Sequence, residues 1–180
     1  MWKGEVSTEY EEGIGKFISS GRYEAEGNVM SLIDGDDFYS STYASNWQFA
    51  YLFHESTGLT FAKHLVLPAT SLDQNCYQFM FAGCTNLTTA PAELPATSLS
   101  YYCYYGMFSG CTNLTNAQTV LPATGLSECC YQQMFQRCYS LPAVPELSAT
   151  TMAASACCEM FADCTSLTVA PALPATNLNE

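Results

Sequence analysis

Apolar positions in the second half of this chain fall in a recurring frame. In one unit Leu99, Cys103, Met107 and Cys111 follow one another at four-residue steps. That spacing predicts a short helix with one stripe turned to a core, and Thr97 or Ser98 is placed to cap its N-terminus. The unit beginning Thr151-Met152-Ala153-Ala154-Ser155-Ala156 is richest in helix formers. After the second cysteine, Leu87-Thr88-Thr89-Ala90-Pro91 combines β-branched residues with a closing proline and reads as a brief strand.

The frame is marked by near-identical words: Leu67-Pro68-Ala69-Thr70, Leu94-Pro95-Ala96-Thr97, Leu121-Pro122-Ala123-Thr124, Leu147-Ser148-Ala149-Thr150 and Leu173-Pro174-Ala175-Thr176, at steps of 27, 27, 26 and 26 residues. A fixed period of this size marks an array whose units bury their apolar faces only against their neighbours. The expected fold is α/β: a right-handed, leucine-rich-repeat-like solenoid with 26–27-residue repeats, short parallel strands on one face and short helices on the other. About five repeats occupy residues 47–180. The first is a decayed copy at Leu52-Phe53-x-x-Ser56-x-x-Leu59, with Trp47 near the place of the first cysteine. Residues 1–46 are expected to form an acidic lead, loosely ordered over 1–12, and a strand or hairpin cap, within a single domain.

Charge narrows the partners. The 180 residues carry five Lys/Arg against seventeen Asp/Glu, a formal net charge of −12, and ten of the acids fall in residues 1–60. No basic patch can be assembled from so few cations, so nucleic acid and anionic membrane are poor partner candidates. No stretch has the length of a membrane span, and the opening residues show no secretion signal. The end at Asn177-Leu178-Asn179-Glu180 shows no cap, which fits either trimming from a longer array or end-to-end self-association through the exposed last turn.

Ten cysteines raise the question of bridges or metals. On a helix Cys76 and Cys84 would lie roughly 12 Å apart along the axis, beyond the about 7 Å that a disulfide tolerates. Neighbouring helices about 8–10 Å apart are also too far without distortion. No Cys-x-x-Cys pair is present to start a zinc site. The thiols are therefore read as small buried fillers, with Cys129 and Cys157 as the exceptions open to oxidation. His54 and His64 are rim residues rather than bases for a nucleophile. Leu121-Pro122-Ala123-Thr124-Gly125 spells a sortase signal but is one copy of the repeat word. Asp34-Gly35-Asp36-Asp37 is too short for a calcium loop, and the sequons at Asn86 and Asn113 enclose core leucines. No cofactor, metal or catalytic residue is expected. The aromatic signal is stronger. Tyr77, Tyr104 and Tyr131 each follow an inward cysteine, with Cys157 in the last copy, and Tyr101, Tyr102, Tyr105 and Tyr139 lie nearby. Stacked in register they read as a strip on the helical wall, with Tyr77, Tyr104, Tyr131, Tyr101 and Tyr105 as candidate binding residues and packing between helices as the competing role.

The recurring words Met-Phe-x-x-Cys-Thr-x-Leu-Thr and Leu-Pro-Ala-Thr resemble the BspA-like (Treponema-type) leucine-rich repeats. The signature Phe-x-x-Cys-x-x-Leu is matched at Phe81/Cys84/Leu87, Phe108/Cys111/Leu114, Phe135/Cys138/Leu141 and Phe161/Cys164/Leu167, and these twelve residues are the expected core ladder. Gly27-Asn28-Val29-Met30-Ser31-Leu32 is similar to the lead-in before such arrays, and the repeats here are longer than usual. The resemblance implies a secreted or cell-surface protein of oral or gut bacteria, without enzymatic activity, that attaches to a protein or glycan. The alternative is a structural spacer or fibre element of a bacterial or phage surface assembly.

Overall fold

In the computed structural model, which describes residues 5–7, 15–117, 120–170, 172, 175 and 177–178, the four-residue spacing builds overlapping turns rather than helices. Met80 donates its N–H to the Tyr77 carbonyl, Ala82 to Phe79 and Cys84 to Phe81, so a turn closes every two residues. The intervening N–H groups point to the next repeat: Tyr77 donates to Cys103, Phe79 to Tyr105 and Phe81 to Met107, each at 2.9 Å. Every second turn carries a positive φ at its third position, as a type II turn requires: Phe79 (50°), Gly83 (73°), Gly106 (58°), Gly110 (74°), Gln133 (55°) and Arg137 (59°). Side chains other than glycine lose about 1–2 kcal/mol in that conformation, and the bonds to both neighbouring repeats hold them there. The helices expected on one face are therefore a misreading. Among the described residues the only helical segments are two 3-10 helices, Val29–Leu32 and Gly35–Ser40, both ahead of the repeats.

The strands also sit elsewhere in the frame. Ser71–Leu72 pairs with Tyr43–Ala44 and with Ser98–Leu99, and Thr151–Met152 pairs with Gly125–Leu126 and Asn177–Leu178, all in parallel. Val120–Leu121 pairs in the same sense with Glu146–Leu147. The sheets are open and have two or three strands. The two three-stranded sheets form at the step expected to cap a helix, just after the repeat word's threonine, as at Thr97-Ser98-Leu99. The stretch at Leu87 expected to be a strand supplies only single parallel bridges, Phe61 to Thr89 to Asn116. Threonines reinforce the pairing, with Thr88 and Thr115 donating their hydroxyls to the carbonyls of Thr60 and Thr88, 3.0 and 3.2 Å away.

Equal frame positions become files of like side chains. Phe53, Phe81, Phe108, Phe135 and Phe161 stack with ring centroids 5.2–5.6 Å apart. Leu87, Leu114 and Leu141 are buried, as are Cys84, Cys111, Cys138 and Cys164, whereas Phe161 and Leu167 at the far end are half-covered. The Phe-x-x-Cys spacing has a polar reason. The Phe81 carbonyl accepts the N–H of Cys84 in its own repeat and the thiol of Cys111 in the next, at 3.0 and 3.1 Å. The thiols of Cys84, Cys138 and Cys164 donate likewise to Phe53, Phe108 and Phe135. A thiol here fills a small core site and occupies a second carbonyl lone pair at little desolvation cost.

All ten cysteines are free thiols. The expectation for Cys129 is overturned: it is buried, Cys157 is half-buried, and Cys158 is the exposed one. Burial pushes the thiols of Cys76, Cys84 and Cys130 up to about 12 and that of Cys157 to about 11, which removes the reactive thiolate at neutral pH. Native protein treated with a thiol-reactive dye is expected to take up one equivalent quickly, at Cys158, and the rest only after unfolding. Rapid uptake at Cys84 or Cys111, mapped by mass spectrometry, would contradict the packing.

The leading segment adds a partial layer. Glu5–Ser7 pairs antiparallel with Lys16–Ile18, while Tyr23–Glu24 and Gly27–Asn28 lie parallel on Leu59–Phe61 and Leu65–Val66 of the first repeat. The remainder of 1–12, expected to be loosely ordered, lies outside the described residues. Phe17 packs on Phe53 with centroids 6.0 Å apart. Lys16, buried, donates its Nζ to His54 Nδ1 at 3.0 Å and sits 3.5 Å from Glu55. Burial and then the Lys16 charge lower the His54 pKa below its ordinary 6.5, against a smaller opposing pull from Glu55. The unfolded chain therefore takes up this proton first as pH falls, so the contact stabilises above about pH 6.5 and the stability is lost below it. The melting temperature is expected to drop between pH 7 and 5, and His54→Gln to flatten that part of the profile; an unchanged slope in the variant would exclude His54 as the cause.

Candidate binding groove

Three candidate tyrosines prove to be core. Tyr77, Tyr104 and Tyr131 are buried, at 0, 1 and 1 % exposure, and continue a file that starts at Phe49, with centroids 5.6–5.7 Å apart. In the four-residue frame both the cysteine and the tyrosine after it face inward, so these rings offer no surface to a partner. That corrects the binding role assigned to them. Their hydroxyls find no hydrogen-bond partner among the described residues, and burial holds the phenols well above their ordinary pKa. Phe49 fills the same file without a hydroxyl, so the position requires a ring.

Tyr101 and Tyr105 do lie on the outer wall. Tyr101 is exposed, while Tyr105 is half-covered and meets Phe79 edge-on at 4.8 Å and Tyr102 at 5.7 Å. Tyr51 and His54 extend this cluster from the first repeat, 5.5 and 6.3 Å from Phe79. Below it, Gln133 and Gln136 both donate to the Glu159 carboxylate, at 2.7 and 3.2 Å. These rings meet edge-on or tilted and cover one another.

The recessed feature lies elsewhere. A groove of about 470 Å³ opens where the leading segment meets the first repeats, lined by Arg22, Glu24, Thr60, Phe61, Asn86, Thr88 and Asn113. Its size is within the roughly 300–1,000 Å³ typical of small-molecule sites. Strand alternation builds it. Tyr23 packs against the core and bonds its hydroxyl to Ser56 Oγ at 2.7 Å, which leaves Arg22 and Glu24 on the outer side. Burial pushes the Tyr23 phenol up to about 12, against the lowering effect of the Ser56 bond. Leu87 and Leu114 point inward, so Asn86, Thr88 and Asn113 flank them outward. The two sequons thus carry the groove's amides, a placement that their reading as incidental words does not anticipate.

Internal bonds fix the polarity of the lining. Thr60 Oγ1 donates to the Tyr23 carbonyl at 3.1 Å, Thr88 Oγ1 to Thr60 at 3.0 Å and Asn86 Nδ2 to Thr57 at 2.9 Å. Both hydroxyl hydrogens are committed, so Thr60 and Thr88 present oxygen lone pairs to the groove. Arg22 and Glu24 add one charge of each sign.

The other candidates stay apart from the groove. Asp34 accepts a bond from Ser41 Oγ, and no three His, Cys, Asp or Glu side chains converge as a metal site would need among the described residues. Leu121 and Ala123 of the sortase-like word are core. Among the described residues no helix is long and apolar enough to cross a membrane. The chain matches no family model, no curated protein and no solved structure.

Proposed function

We propose that the chain is a non-enzymatic recognition module, a right-handed, leucine-rich-repeat-like solenoid of the BspA-like kind that serves attachment at a bacterial cell surface and binds a protein or glycan. The repeat signature supports the family reading, and the parallel pairing of successive repeats at one register supports the solenoid. The observation that carries the function is the groove, a concave site whose side chains come from the leading segment and consecutive repeats. An enzyme is disfavoured because buried thiols are held protonated and His54 already accepts from Lys16. Purified chain on immobilised host proteins and glycans is expected to give saturable binding that weakens when groove residues are replaced.

A structural spacer of a surface assembly is the second reading. The exposed threonines favour it, because Thr88, Thr115 and Thr150 spend their hydroxyls on the carbonyls of the repeat before. A spacer would bind neither class of array.

A further inference from the structure

We infer that the groove bounded by Arg22, Glu24, Phe61, Asn86 and Asn113 takes an uncharged, hydroxyl-rich ligand, a neutral saccharide. The inference rests on the recognition reading and names its ligand class. Three features select it. The committed hydroxyls of Thr60 and Thr88, the free Oδ1 of Asn86 and the Glu24 carboxylate present acceptors, so a complementary ligand must bring several donors. Sugar hydroxyls supply them in a fixed array, whereas an aliphatic or purely anionic ligand brings none. The donors in the lining, the Arg22 guanidinium and the Asn113 amide, match ring and hydroxyl oxygens in turn. Arg22 and Glu24 cancel within the groove, and the chain carries seventeen acids against five cations. An acidic sugar would meet Glu24 without a surplus cation. Phe61, half-buried in the same lining, offers apolar surface of the kind a pyranose C–H face packs on.

The test is saturation-transfer NMR and titration of the intact chain. The probes are methyl α-D-mannopyranoside, methyl β-D-galactopyranoside, N-acetyl-D-glucosamine and, as the acidic arm, N-acetylneuraminic acid. A neutral probe is expected to bind saturably, and Arg22→Ala and Asn113→Ala each to weaken it about tenfold. Both residues are exposed, so melting curves will show these variants folded. Phe61→Ala is expected to lose the signal from the ring C–H protons, and Val169→Ala, exposed in the last repeat, to leave binding unchanged. The inference is overturned if no neutral probe binds, if only the acidic sugar binds, or if Tyr101→Ala alone abolishes binding. Capture of a protein by the same chain with no sugar bound would sink this inference and leave the recognition reading standing.

Discussion

Phe108→Ala is expected to destabilise the chain by about 3–5 kcal/mol and to lower its melting temperature by roughly 10 °C. Phe108 is buried and stacked on both sides, at 5.2 Å from Phe81 and 5.4 Å from Phe135, with interplanar angles of 6° and 10°. Removing the ring therefore opens a void shared by three repeats. The backbone around it cannot collapse into that void. The Phe108 N–H is fixed to Met134, and its carbonyl accepts both Cys111 N–H and the Cys138 thiol. Because the ring stacks on those of both adjoining repeats, the loss falls on two interfaces. Hydrogen exchange should accelerate first in residues 102–138, and the double variant with Phe135→Ala should cost less than the sum of the singles. Calorimetry giving under about 1 kcal/mol for Phe108→Ala would mean that the ring file does not bear the stack.

The period was legible in the sequence because like residues recur at equal steps, and ten of the twelve ladder positions are buried. The local backbone was not. Spacing at i, i+4 and i+8 fits a helix of 3.6 residues per turn over two turns nearly as well as a strict four-residue frame. The two differ at the neighbouring position. In a helix Tyr77 would stand well off the Cys76 stripe, while in the turn frame Cys76 and Tyr77 are both buried, as are Met80 and Phe81. Glycines held the missing signal. Gly83, Gly106 and Gly110 sit at the positive-φ step and would weaken any helix. At Gly106 a Cβ would also meet the Phe79 ring at 2.2 Å. Elsewhere that step is filled by Tyr51, Phe79, Gln133, Arg137 and Glu159, residues that mask it.

The groove was less legible than the core for a different reason. It belongs to no single repeat. Arg22 and Glu24 come from the leading segment, and their meeting with Asn86 and Asn113 depends on the parallel docking of Tyr23–Glu24 on Leu59–Phe61. Residue spacing within a repeat carries no information about that docking. The tyrosines attracted attention because they recur, and recurrence in a stacked array marks burial more often than display. Arg22 and Glu24, which lie outside the repeats, and Phe61, whose bridged equivalents are Thr89 and Asn116, are where a ligand would be distinguished.

Gly58→Ala is expected to undock the leading segment, a loss of at least about 3 kcal/mol. A Cβ at Gly58 would lie 2.1 Å from the Gly21 carbonyl oxygen and 2.6 Å from that of Ser19. Both obstacles are backbone, so no rotamer relieves them. The Gly58 N–H donates to Ser19 at 2.7 Å and its carbonyl accepts from Tyr23 at 2.9 Å, so any shift that makes room breaks both bonds. It also strains the Ser19 N–H bond to Ser56 Oγ, 3.0 Å long. Gly21→Ala is the matched control: its nearest neighbour is Ser19 Oγ at 3.7 Å, ordinary contact, and no comparable loss is expected. Hydrogen exchange should rise in residues 15–25 and 58–61 of the Gly58 variant while residues 75–140 stay protected. Saccharide binding should fall with it, since Arg22 and Glu24 leave with the undocked segment. Equal melting temperatures for the two variants would show that the close approach at Gly58 does not hold the leading segment in place.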